Sequence, residues 1–180
     1  MLHLLREAER ALPELLLDRA SWNGLHIDYE HPHVDRLWIP WKNDTRINLH
    51  RIYPCSEAQA FIHPHPWPSA VLILEGRYEM IMGHILPHDD EAGPLQAVEA
   101  TATIILEENS RYEMANRWGT HSVRPLDGPS LSLMITGKPW DKEGGRPLIH
   151  GPSKDQRALH PDERESLFSH IRKHYYQRRA

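Results

Sequence analysis

The spacing of apolar residues changes period twice along this chain. From Met1 to about Arg19 they recur at steps of three and four, with Leu4, Leu5, Ala8, Ala11, Leu12, Leu15 and Leu16 on one side. That is the period of an amphipathic helix. Pro13 falls inside it and is expected to kink the helix or divide it in two. The helix packs on the outside of the main sheet or else forms the contact of a homodimer. From Asp35 to Thr136 the pattern is one of short alternating or continuously apolar runs. These are Asp35 to Ile39, Arg46 to Tyr53, Val71 to Leu74, Arg77 to Met82, Leu95 to Ala100, Thr101 to Leu106, Arg111 to Met114, Thr120 to Val123 and Ser130 to Thr136. Turn signals punctuate them at Asn43-Asp44, Glu75-Gly76, Glu107 to Ser110 and Gly137-Lys138-Pro139. Trp22-Asn23-Gly24 reads as a further turn ahead of the first run.

The helical period returns at Pro161, where proline suits the first position of a helix. Leu167, Phe168, Ile171 and Tyr175 make its apolar stripe. Asp162, Glu163 and Glu165 favour its positive end, and Arg172, Lys173 and His174 its negative end. Trp140 to Ala158 is a charged crossing without periodicity. Many short strands between two single helices predict an all-β protein, a small antiparallel β-barrel with flanking N- and C-terminal helices. The whole of residues 1–180 reads as one domain, with a helical extension over about 1–20, a barrel over about 34–140 and a terminal helix over about 161–177.

Composition narrows this picture. The 180 residues are 39% hydrophobic and 26% charged, the balance of a globular domain large enough for a sizeable core. Fifteen prolines favour loops and strands over a helical bundle. A formal net charge of −4 gives no footprint for nucleic acid. The chain lacks an apolar run of the roughly 18 residues that a membrane span needs. Arg6, Glu7, Glu9 and Arg10 are not the pattern of a secretory signal. The single cysteine, Cys55, excludes an internal disulfide, and a reducing cytosol is the expected setting. Cys55 itself reads as an idle thiol rather than a nucleophile.

Chemistry enters with the histidines. His63-Pro64-His65 stands ahead of the apolar run that closes on Gly76, and Gly119-Thr120-His121 follows on another β-like stretch. Residues two apart on an extended strand share a face, so two imidazoles can converge on one metal ion. Fourteen histidines make chance pairs common, and His31-Pro32-His33 is a second such pair. It lacks a glycine-closed strand after it and reads as surface histidine. The His88, Asp89, Asp90 and Glu91 group reads as a solvated hairpin tip. Tyr78, Met80 and Met82 share one face of their strand and read as core.

The two motifs together, HPHPWPSAVLILEG and NRWGTHSVRP, resemble those of the cupin family over roughly Ile47 to Gly137. The resemblance implies a barrel holding His63, His65 and His121 as metal ligands, with Gly119 allowing the tight turn that brings His121 in. Where the usual cupin has a glutamate ligand this chain has Ala70, with Ser69 beside it. That departure looks like the three-His subset, which includes thiol dioxygenases such as cysteine dioxygenase. By the same resemblance Ala70 is an inward position beside the metal. His50, Ile52 and Pro54 face the metal while Arg51 and Tyr53 face outward. Arg36 lies near an arginine that pairs with a substrate carboxylate, whereas a surface salt bridge is the plainer reading. His50 is the expected outer hydrogen-bond donor. The resemblance fails elsewhere: crosslinked thiol dioxygenases carry a Cys at Ala70, and a His and a Tyr where this chain has Met134 and Thr136.

Three histidines without a carboxylate leave the charge of a divalent ion uncancelled, which favours a small anionic substrate. The resemblance makes Fe(II) the first choice, with Zn, Ni, Cu and Mn behind it. An iron oxygenase acting on a small polar or anionic molecule is the leading expectation. A metal-dependent isomerase, lyase or hydrolase working without O2 and a non-catalytic sensor or binding protein remain open beside it.

Overall fold

The computed structural model describes residues 1–28, 30–85, 98–140 and 156–177. Helix α1 (Leu2–Leu15) is followed by strands β1 (Asn23–Ile27), β2 (Val34–Pro40) and β3 (Arg46–Ile52). Next come β4 (His63–Pro64), β5 (Ser69–Glu75), β6 (Arg77–Ile85) and β7 (Val98–Glu107). The chain continues through β8 (Arg111–Met114), β9 (Gly119–Pro125), β10 (Ser130–Thr136) and β11 (Gln156–Ala158) to helix α2 (Pro161–Gln177). None of the described helices is long and apolar enough to cross a membrane.

The described strands form two antiparallel sheets, one of seven strands in the order β11-β1-β2-β3-β10-β5-β8 and one of four in the order β4-β9-β6-β7. Alternation on the central strands of the larger sheet sorts its residues into two layers. Leu37, Leu49, Leu133, Ala70 and Leu72 face α1 and α2 and join Leu5, Leu12, Trp22 and Phe168 in a wholly apolar core. Ile52, Val71, Ile73 and Met134 face the smaller sheet and pack on Tyr78, Met80, Leu106 and Val123. The polar residues of interest share this inner layer.

Pro13 neither divides α1 nor ends it. A proline removes the N–H that would bond to the carbonyl four residues earlier. That carbonyl, on Glu9, accepts instead from the hydroxyl of Tyr175 on α2 at 2.8 Å. The indole of Trp22 donates to the Leu15 carbonyl at 3.0 Å, so a second orphan at the helix end is also met. α1 packs on β5 and β10, which is the sheet-covering role expected of it.

Two strands lie where the pattern had pointed elsewhere. Trp22-Asn23-Gly24 was expected as a turn, yet Asn23 opens β1, which pairs with β2. β11 lies in the supposed crossing and pairs with β1 at the edge of the large sheet. Leu159 fits closely against Gly24, where an added Cβ would come within 3.1 Å of it. Residues 95–97, the His88 group and residues 141–155 lie outside the described residues. The turn at Gly76 is as expected, with φ of 78°, a conformation that glycine adopts without a Cβ penalty.

Candidate metal centre

β4 is only two residues long, but its pairing places His63 directly opposite His121 on β9. Their ring centroids are 4.9 Å apart. His65 lies just beyond β4, its ring 4.8 Å from that of His121 and 5.4 Å from that of His63. One nitrogen from each of the three rings can be chosen so that all lie within 4.8 Å of one another. Among the described residues no other group of three histidine, cysteine or carboxylate side chains is gathered this closely.

The far side of each ring is held. His63 Nδ1 lies 3.2 Å from the Phe61 carbonyl, His65 Nδ1 2.9 Å from Ser69 Oγ, and His121 Nδ1 3.4 Å from Met80 Sδ. A proton on each Nδ1 serves these acceptors and leaves the Nε2 lone pairs for an ion. His65 Nε2 and His121 Nε2 stand 3.1 Å apart. Two bonds of about 2.1 Å to one ion, at a right angle, would set them about 3.0 Å apart. The donor set therefore fits a divalent metal in chemistry and in spacing.

Electrostatics point the same way. Burial lowers the pKa of His63, and Arg36 adds to this against the opposing Phe61 carbonyl. Burial holds His65 and His121 well below the usual imidazole range, with neighbouring histidines adding to it. All three are neutral at physiological pH, the form a metal requires.

Arg36 and His50 pair across β2 and β3, and Arg36 Nε donates to His50 Nε2 at 2.9 Å. His50 is buried, and burial together with Arg36 keeps it neutral. Arg36 bears electrostatically on both His63 and His65, which places its charge within reach of the centre. Ser132 lies opposite His50 on β10, 1% exposed, and its Oγ has no hydrogen-bond partner among the described residues. Arg36, His50 and Ser132 thus form one polar row on the inner face of three adjacent strands. Outward from the same strands, Arg51 meets His170 of α2 and Tyr53 donates to Asp35.

The expectation for Ala70 is overturned. It is fully buried in the apolar layer under the helices, opposite Ile135, and faces away from the histidines. β5 begins at Ser69, and a shift of one residue exchanges faces. Ser69 is the inward residue and orients His65. Gly119 plays a different part from the one expected. Its backbone is outside the left-handed region. A Cβ there would meet the Asn116 carbonyl at 3.3 Å, so close approach rather than a turn conformation favours glycine.

Ser69 and Met80 support the rings in a way that strand period does not reveal, and Tyr112 joins them. Tyr112 projects from β8 with its ring 5.9 Å from that of His121, and its hydroxyl lies 3.2 Å from that of Tyr78. The strand period put Met80 and Tyr78 on one face, but nothing in it distinguishes a core face from a lining face.

No protein-family model matches the chain, and no curated protein matches it. Among solved structures, hydroxypropylphosphonic acid epoxidase from S. wedmorenis is similar at 11% identity and a TM-score of 0.48, over 66% of this chain and 56% of that one. A hydroquinone 1,2-dioxygenase with bound Cd2+ gives 11% identity and a TM-score of 0.40, over 52% and 58%. KdgF from Halomonas sp. gives 13% identity and a TM-score of 0.44, over 66% of this chain and 90% of that one. The chain spans about half the length of the epoxidase structures, at 49% and 56% of two of them.

Proposed function

We propose that this protein is a mononuclear metal-dependent enzyme of cupin type, in which His63, His65 and His121 hold one divalent ion, Fe(II) before Zn, Ni, Cu or Mn. The observation that carries the reading is the convergence of three neutral imidazoles without a carboxylate among them. The reaction proposed is an oxygenase reaction on a small anionic molecule. Bound there, iron would supply a Lewis acid with open positions and the means to use O2.

The protein's own contribution is to hold, orient and select. Phe61, Ser69 and Met80 fix the three rings so that little reorganisation accompanies metal entry. A 2+ ion on neutral ligands, with Arg36 nearby, makes the interior between the sheets electropositive and favours an anion. A guanidinium can pair with a carboxylate or similar group through two parallel hydrogen bonds. His50, by accepting from Arg36 Nε, sets the plane of that guanidinium. Ser132 Oγ is a buried hydroxyl that a bound polar molecule could satisfy.

The deciding experiment is metal analysis of protein purified without added metal, followed by turnover of candidate anions with iron in air and under argon. Near-stoichiometric metal and O2-dependent turnover support the reading. Turnover of zinc-loaded protein under argon would replace the oxygenase part with isomerase, lyase or hydrolase chemistry. Ligand binding without turnover under either gas would make the protein a sensor.

A further inference from the structure

Tyr78 and Tyr112, the latter beside His121, have an arrangement that assigns their protons. Tyr78 is fully buried on β6 and packs among Ile73, Met80, Val123 and Met134. Among the described residues its hydroxyl has one partner, that of Tyr112 at 3.2 Å. If Tyr112 donated to Tyr78, the Tyr78 proton would be left unpaired in apolar surroundings, which is costly. Tyr78 therefore donates to Tyr112. The proton of Tyr112 must then point away from Tyr78, and no acceptor for it lies among the described residues.

Tyr112 differs from its partner in exposure. It is partly exposed on the edge strand β8, and its ring is tilted 56° against that of His121 at 5.9 Å. Tyr112 thus lies on the side of β8 that faces the smaller sheet and His121. We infer that Tyr112 is a hydrogen-bond donor to an anionic atom of the ligand held at the three-His centre, and that Tyr78 is the positioning residue that aims it. This rests on the proposed metal site.

The physical basis is a two-membered hydrogen-bond chain. A phenol that accepts one hydrogen bond becomes a stronger donor through its own proton. A phenol O–H aimed at the centre suits an anion rather than a cation or a neutral apolar group.

The test uses the whole protein loaded with Co(II), titrated with azide as the anionic probe and read by its visible spectrum. Metal stoichiometry and thermal midpoint are measured first on wild type, Tyr112→Phe and Tyr78→Phe. The expected result is unchanged stoichiometry, with azide affinity about tenfold or more weaker in Tyr112→Phe, the scale of one hydrogen bond to a charged group. Tyr78→Phe should weaken azide by a smaller factor, since the donor remains but is no longer aimed. It also keeps the inference testable if Tyr112→Phe fails to fold, because unchanged azide affinity in Tyr78→Phe overturns the aiming role. Full loading with unchanged azide affinity in both variants overturns this inference alone. Failure of wild type to bind cobalt overturns the metal site and this inference together.

Discussion

His31-Pro32-His33 and His63-Pro64-His65 are the same tripeptide, and the fold uses them differently. The first precedes β2, with its two rings stacked face to face at 4.2 Å and 9°. The second includes β4, and its rings are splayed by 30° at 5.4 Å. The first contributes its backbone: the His31 carbonyl accepts from Phe61 N and the His33 carbonyl from Tyr53 N, each at 3.0 Å. It therefore anchors the segment that leads into the second. The second contributes side chains, because β9 sets His121 opposite His63. Two histidines become a candidate ligand pair when a third ring and a neutralising burial meet them. The tripeptide alone does not decide it.

The largest expected effect follows directly. His63→Ala, His65→Ala or His121→Ala should each reduce bound metal to a small fraction of stoichiometric, measured by elemental analysis. His31→Ala and His33→Ala should leave it unchanged, because their backbone bonds survive the loss of the ring. Full metal in His63→Ala, or loss of metal in His33→Ala, would reverse the roles of the two tripeptides.

The next effect separates the two faces of β5. Ala70→Glu would put a carboxylate into the helix-side core among Leu5, Leu72 and Ile135. An unpaired buried charge and an overfilled core should cost about 3 kcal/mol or more, read by denaturant unfolding. A stable Ala70→Glu protein with an altered cobalt spectrum would instead put residue 70 beside the histidines.

A smaller effect belongs to Ser69. Ser69→Ala removes the acceptor that orients His65 without adding bulk. Metal affinity should fall by about tenfold to a hundredfold, the range for supporting partners of a ligand, with the thermal midpoint of the metal-free protein little changed. Unaltered affinity would mean that packing alone holds the His65 ring.

These residues also mark how far the sequence could be read. The period-3.6 and period-2 patterns located α1, α2 and most of the strands, since each buries one side. They missed β1 and β11 because an edge pair of three or five residues is too short to show a period, and Gly24 with Asn23 imitates a turn. The ligand candidates were legible because an H-x-H pair and a Gly-x-His element are local. The face of β5 was not, because Ser69 to Leu74 is buried on both sides and carries no polar alternation. Met80 reaches His121 through the pairing of β6 with β9, Tyr112 reaches it from the other sheet, and Ser69 reaches His65 only four residues along the chain. The strand pattern marked Tyr78 and Met80 as a shared face without revealing that the histidines lie against it.

His50 sharpens the comparison by sharing the lowered pKa of the second tripeptide's histidines without belonging to it. Its pKa, like those of His63, His65 and His121, lies below the ordinary value of 6.5 in the folded chain. The unfolded chain takes up protons near pH 6.5, while the folded chain leaves these sites neutral. Below that pH the unfolded state binds more protons, so stability must fall as pH falls from about 6.5 toward the folded pKa values. Above pH 6.5 the two states carry the same protons at these sites, and the dependence vanishes. Each group adds a slope of at most about 1.4 kcal/mol per pH unit. His50→Gln removes one such group and leaves Arg36 an acceptor. In metal-free protein the stability profile below pH 6.5 should flatten by one proton's worth, read from denaturant midpoints at several pH values. Metal stoichiometry at pH 7.5 should stay the same, since His50 is not among the three converging rings. A lost ion with an unchanged slope would place His50 among the ligands. An unchanged slope with full metal would mean that His50 takes up its proton in the folded protein as readily as in the unfolded chain.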